Sequence, residues 1–196
     1  TIASIIVDGG VTVANIDNED DVTLTVSSTS VDNVIGGALA LTSSEATADK
    51  HITMDVANTL TVTGATTLTA NTGSSASNVR LIVDKAATFT GGVTLDDDTG
   101  LAVLEFEQNN TATIAGDIAA AANGEGTIEL TGTGKTLSGT LGASAKKLKE
   151  VQIDSASAVL SGTGYITLLD VNATATLSGA MNLGTATIDA ATASSG

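Results

Sequence analysis

Cysteine, proline and tryptophan are absent from the 196 residues, and only Phe89, Phe106 and Tyr165 are aromatic. Without cysteine, the fold rests on neither disulfides nor a thiolate metal centre. Without proline, every residue keeps its backbone N–H, which suits a chain whose strands pair on both sides. With so few rings but 42% apolar residues, the core must be built from Val, Ile, Leu, Ala and Thr. Side chains of that size fill a narrow interior. No apolar run reaches the roughly 18 residues of a membrane-spanning helix, so no transmembrane segment is expected. The opening stretch TIASIIVDGG has no basic segment followed by an apolar one, and no signal peptide is read there.

Basic residues are also scarce: 7 against 22 acids, for a net charge of −15. Residues 1–134 carry the whole of that −15, while residues 135–196 balance to zero. Such an acidic surface repels phosphate backbones, so nucleic acid is not expected as a partner. It also keeps a threonine-rich β protein in solution.

What the chain does have is a recurring phrase. KTLSGTLG (135–142) returns as TVTGATTL (61–68), TFTGGVTL (88–95), TIAGDI (113–118), VLSGTG (159–164) and TLSGAMNL (176–183). Aligned on Gly9, Gly36, Gly64, Gly91, Gly116, Gly139, Gly162 and Gly179, the copies stand 27, 28, 27, 25, 23, 23 and 17 residues apart. A second element precedes most of them: VTLTV (22–26), ITMDV (52–56), LIVD (81–84), LEFE (104–107), IEL (128–130), VQID (151–154) and LLDV (168–171). Both elements alternate apolar with polar or small residues, the period of a half-buried strand. The text between them, such as DKAA, EQNN, TGTG and DSAS, has turn chemistry.

A unit of 23–28 residues with two or three short strands cannot bury its apolar face alone, but stacked on its neighbours it can. The expected fold is all-β: one parallel β-solenoid (β-helix) over residues 1–196, with about eight coils of 23–28 residues. Right-handedness follows the general preference of parallel crossovers. Glycine is expected at the corners, where it tolerates positive φ and close backbone approach. The alternative is a β-sandwich of short antiparallel strands, although the tight Asn-Gly hairpin signal occurs once, at Asn123–Gly124. GDIAAAANGEG (116–126) reads as a loop leaving the coil, and ASAKKLKEV (143–151) as a basic turn before VQID. Neither end carries a visible cap, so open sheet edges are expected at both.

The stretch VQIDSASAVLSGTGYITLLDVNATATLSGAMNLGTATIDA (151–190) resembles the β-solenoid passengers of bacterial autotransporter adhesins, including rickettsial outer-membrane-protein-B-like proteins, and some β-rich surface-layer proteins. The likeness is one of composition and period, best over residues 52–190. It implies export, an extracellular or cell-surface location in a bacterium or archaeon, and a structural or adhesive role. It carries over no catalytic residue.

Candidate chemistry is sparse. His51, the single histidine, lies at a strand start without a G-x-S-x-G elbow elsewhere to make a hydrolase triad. Glu105 and Glu107 in LEFEQ alternate with Leu104 and Phe106, so both face outward from one strand. They could be the carboxylate pair of a glycosidase, but the aromatic platforms of a sugar cleft are missing. TGTGK (131–135) lacks phosphate-loop spacing and reads as a turn. The oxygen-rich clusters Asp17, Glu19, Asp20, Asp21 and Asp96, Asp97, Asp98 are candidate calcium ligands, without matching an EF-hand or nonapeptide repeat. The expected function is therefore structural rather than enzymatic. The chain would be the repeating subunit of an extracellular fibre, sheath or surface layer, self-assembling head to tail. The alternative is a stalk or passenger segment of a surface adhesin that meets a cell-surface ligand.

Overall fold

In most copies of the phrase the first and third residues of a short strand turn inward and the middle one outward. Leu60 and Val62 are buried around Thr61, Ala87 and Phe89 around Thr88, and Ala158 and Leu160 around Val159. A computed structural model describes residues 1–14, 21–43, 51–70 and 77–189. Its described residues form β-strands without a helix, arranged in three parallel sheets that are the walls of a β-solenoid.

The first wall stacks Ile6–Val7, Asn33–Ile35, Leu60–Val62, Ala87–Phe89, Ala112–Ala115, Lys135–Leu137, Ala158–Leu160 and Ala175–Leu177. The second stacks Val11–Ala14, Leu39–Thr42, Thr66–Thr69, Val93–Asp96 and Ile118–Ala120. The third stacks Val22–Val26, Ile52–Val56, Val79–Val83, Ala102–Phe106, Glu125–Leu130, Leu148–Ile153, Gly164–Val171 and Met181–Ile188. Between the walls runs one column of Val, Ile, Leu and Ala, widened by the fully buried Phe89 and Phe106. The medium-sized core expected from composition is present.

The rod tapers. Register steps are 27 residues in its middle (Leu60↔Ala87, Thr66↔Val93), 23 further along (Ala112↔Lys135) and 17 at its end (Gly164↔Met181). As coils shorten they run out of chain for three walls. The second wall ends at Ile118–Ala120, continuing only as single bridges from Ile118 to Leu141 and from Leu141 to Gly164. Five turns thus carry all three walls, fewer than the eight coils expected. The glycine phrase counts the corner beside the first wall and is blind to the loss of another wall. The alanine-rich 116–126 departs from expectation too: Ile118 and Ala120 turn inward, and the segment supplies the last second-wall strand. The basic turn is as read, closed by reciprocal hydrogen bonds between Ala143 and Lys146.

Close approach, more than turning, explains the repeated glycine. Gly64 donates its N–H to the Gly37 carbonyl at 3.0 Å, and a Cβ on Gly64 would lie 2.6 Å from the Gly37 carbonyl carbon. Gly91 stacks likewise on Gly64, and Gly139, Gly162 and Gly179 each abut the glycine one coil below. In this column only Gly116 has positive φ, at 118°. The member in the second coil is Gly37, with Gly9 below it, rather than Gly36.

Gly64→Ala should therefore cost about 1–3 kcal/mol through overpacking against backbone that cannot move aside. Gly9→Ala, with open space around its Cβ, should leave stability unchanged. Urea unfolding midpoints of the two variants test this, and equal midpoints would remove close packing as the reason for the column.

Candidate functional site

Stacking converts isolated outward side chains into columns. On the outer face of the third wall the registers align Asp55, Ile82, Glu105, Glu129, Gln152 and Asp170. A neighbouring column aligns Arg80, Val103, Thr127 and Glu150. With Ile82 and Gln152 spacing them from Asp55 and Asp170, Glu105 and Glu129 are thereby set one rung apart. Arg80 clamps them: its guanidinium donates to Glu105 and, at 2.7 Å, to Glu129 on the next rung. Glu105 also accepts from the Thr131 hydroxyl at 3.0 Å.

The energetics follow from this geometry. Burial would lower the Arg80 pKa, but the hydrogen bonds and charges of Glu129 and Glu105 outweigh it and raise the value, so the guanidinium stays charged. Around it the acids are strained the other way. Burial, then Glu105, raises Asp55; burial, then Asp55, raises Asp84. Burial, followed by Asp84, Glu105 and Asp55, raises Glu107; burial, then Asp170, raises Glu150. Glu105 and Glu107 do share the outward direction read from alternation, but Glu105 is committed to Arg80 and Thr131 and is nearly buried.

The expected calcium ligands are dispersed where they are described. Asp17, Glu19 and Asp20 lie outside the described residues. Asp21 spends Oδ1 on the His51 N–H at 2.9 Å. Asp97 turns inward, its Oδ1 accepting the Ala102 N–H at 2.8 Å and its Oδ2 lying 3.5 Å from Lys149 Nζ. Asp98 is exposed, and Asp96 faces outward, its carboxyl raised by burial and then by Asp98 and Asp97. Among the described residues, no three acidic or histidine side chains gather as a group that could hold a metal.

His51 belongs to a corner ladder. Its Nδ1 accepts the Asn78 N–H at 3.1 Å, and Asn78 Oδ1 accepts the Leu101 N–H at 3.0 Å. The same rung-to-rung capping recurs from Asp117 to Thr140, Asn109 to Thr133 and Asn123 to Lys147. Loop Asn and Asp residues therefore hold successive corners together, a role not evident from turn propensity alone. A shallow groove of about 290 Å³ lies beside this ladder, lined by Asp21, His51, Ile52, Thr53, Asn78 and Arg80.

Sequence reasoning passed over Lys135, the last residue of TGTGK. It occupies the inward slot taken by Ala112 below and Ala158 above, and is 0% exposed. The small alanines leave room for its stem. Its Nζ donates to Asn110 Oδ1 at 3.0 Å, the Asp84 carbonyl at 3.2 Å and the Asn110 carbonyl at 3.4 Å. Burial lowers the Lys135 pKa, opposed by the Asp84 charge. The signal was available, since KTL stands where five other copies read LTV, ATF, ATI, AVL and ATL, with NVI (33–35) alone sharing a buried polar first residue.

Comparison with protein-family models, curated proteins and solved structures finds no match to this chain. The fold and these side-chain clusters are accordingly the basis for a functional reading.

The acid ladder has a measurable signature. Carboxyls whose folded pKa is raised bind protons more readily in the fold than in the unfolded chain. Their penalty is absent below the ordinary values of 3.8 for Asp and 4.5 for Glu, and it grows as pH rises through the raised ones. Melting temperature should therefore increase as pH falls from above the raised values toward 4.5, and at neutral pH added salt should also raise it by screening the acids. A stability maximum at neutral pH, indifferent to salt, would contradict the ladder. Arg80→Gln should lower stability at pH 7.5 by about 1–2 kcal/mol, reduced from a fully buried pair by the exposure of the guanidinium.

Proposed function

We propose that the protein is a structural, non-catalytic rod that lengthens head to tail through its open sheet edges, outside the cell or at its surface. Here the five three-walled turns and the flatter turns after them act as one rod of about eight coils. The observation that carries the reading is that, among the described residues, both end coils are largely uncovered. Among the described residues, Ile6–Val7 and Val11–Ala14 each pair on one side, and Val22–Val26 meets on its outer edge a single bridge, from Ile2. At the other end Ala175–Leu177 and Met181–Ile188 also pair on one side, and no described strand covers them. On the last coil Ile188, in register with the inward Val171, stands 67% exposed.

Unpaired edges of this kind accept further strands. Joining unlike ends is heterologous association, which yields open filaments unless rotation closes a ring. First-wall and third-wall strands exist at both ends and can pair across the joint. The charge difference between an acidic N-terminal two-thirds and a neutral remainder favours the same polarity.

A second reading, a stalk segment of a surface adhesin, is favoured by the taper. A coil with three walls at one end and two at the other mates imperfectly with a copy of itself. Coils that continue within one chain can change length gradually.

Sedimentation velocity and negative-stain electron microscopy over a concentration series separate the two. Growth into filaments or sheets with concentration is expected for the polymer, whereas short separate rods at every concentration would leave the stalk. Repeating the series with calcium and with chelator tests whether the acidic clusters take part in the joint.

A further inference from the structure

We propose that Lys135 and Asn110 form an intramolecular isopeptide bond, a covalent staple between adjacent coils, with Asp84 as the acid that shuttles the proton. The inference does not depend on the rod assembling with copies of itself.

The three residues lie at the corner between the third and first walls. Lys135 Nζ is 3.0 Å from Asn110 Oδ1, and Asn110 Nδ2 donates to the Asp84 carbonyl oxygen at 3.0 Å. That second bond fixes the amide plane and leaves Oδ1 toward the lysine. Asp84 is only 7% exposed, and its Oδ1 has no hydrogen-bond partner.

An ordinary buried ion pair would look different. An ammonium fully removed from water needs a carboxylate bonded to it, because a lone buried charge is costly. Lys135 instead donates to three neutral oxygens, while the nearby carboxyl keeps one oxygen unpaired. The three contacts use all three protons of the ammonium, so Nζ must give up one of them before its lone pair can attack, and Asp84 is the nearby acid-base group. Burial pushes the Lys135 ammonium toward the free amine and the Asp84 carboxylate toward the acid. A free amine is the nucleophile and a carboxylic acid the proton donor that amide exchange requires.

The step balances without an oxidant or co-reactant. The Nζ lone pair attacks Asn110 Cγ, and the Asp84 acid polarises Oδ1. The tetrahedral carbon then collapses: the Cγ–Nδ2 bond breaks, Nδ2 leaves as ammonia with a proton passed through Asp84, and the Nζ–Cγ amide remains.

The test is the intact mass of the purified full chain under denaturing conditions, followed by peptide mapping. The chain should be lighter than its sequence by one ammonia, about 17 Da. After cleavage at glutamate, peptides 108–125 and 130–150 should travel as one linked species. Lys135→Arg should restore the full mass, and Asp84→Asn, which keeps both reacting groups, should do so too. The sequence mass in the folded wild type overturns the proposal. So does a loss of ammonia with the two peptides separate, the signature of succinimide at Asn123–Gly124. Complete linkage in Asp84→Asn overturns the role given to Asp84.

Discussion

Each coil is joined to the next by parallel backbone hydrogen bonds that hold neighbouring strands about 4.8 Å apart along the axis. Flat wall segments meet that spacing easily, because their side chains point in or out rather than along it. Corners do not, since a Cβ there points into the corner above or below. The glycine column from Gly37 through Gly64 to Gly91, and again from Gly116 to Gly179, removes that obstacle. The Asn and Asp side chains of the loops supply the axial hydrogen bonds that the bent backbone cannot make for itself.

The same spacing governs charge. Two outward carboxylates in one column stand about one rung apart, where unit charges near a protein surface repel by roughly 1–3 kcal/mol. The third wall meets this at Glu105 and Glu129, where Arg80 relieves it, and spaces Asp55 and Asp170 from them with Ile82 and Gln152. The first wall does not meet it at all. Its outward positions, from Ile6 and Val34 through Thr61 and Thr88 to Thr136, Val159 and Thr176, are uncharged. The charge of the rod is thus a property of its faces rather than of its length.

Alternation in phrases such as LTV and ATF made the strands and their inward residues legible, because period two is written locally. Which outward residues become neighbours was not legible. Glu105 meets Glu129 and Arg80 only because the register step there is 24 rather than 27, and steps depend on how long each loop is. The distinction between Gly36 and Gly37 was lost for the same reason. Lys135 was read as turn because it is charged and follows TGTG, although its place in the phrase is an apolar one. The acids at 96–98 looked convergent in one dimension, yet strand alternation sends Asp97 inward and its neighbours out. Asp17, Glu19 and Asp20 lie outside the described residues.

The shortening coils also bear on how the chain finds its fold. A solenoid of identical repeats can slip by one rung during folding and lose almost nothing, since any coil fits on any other. Here the steps fall from 27 to 23 to 17 and the second wall disappears on the way. A coil placed one rung out of place would meet a neighbour of the wrong perimeter. The taper thereby narrows which coil fits on which, and part of the stacking order is written in loop length.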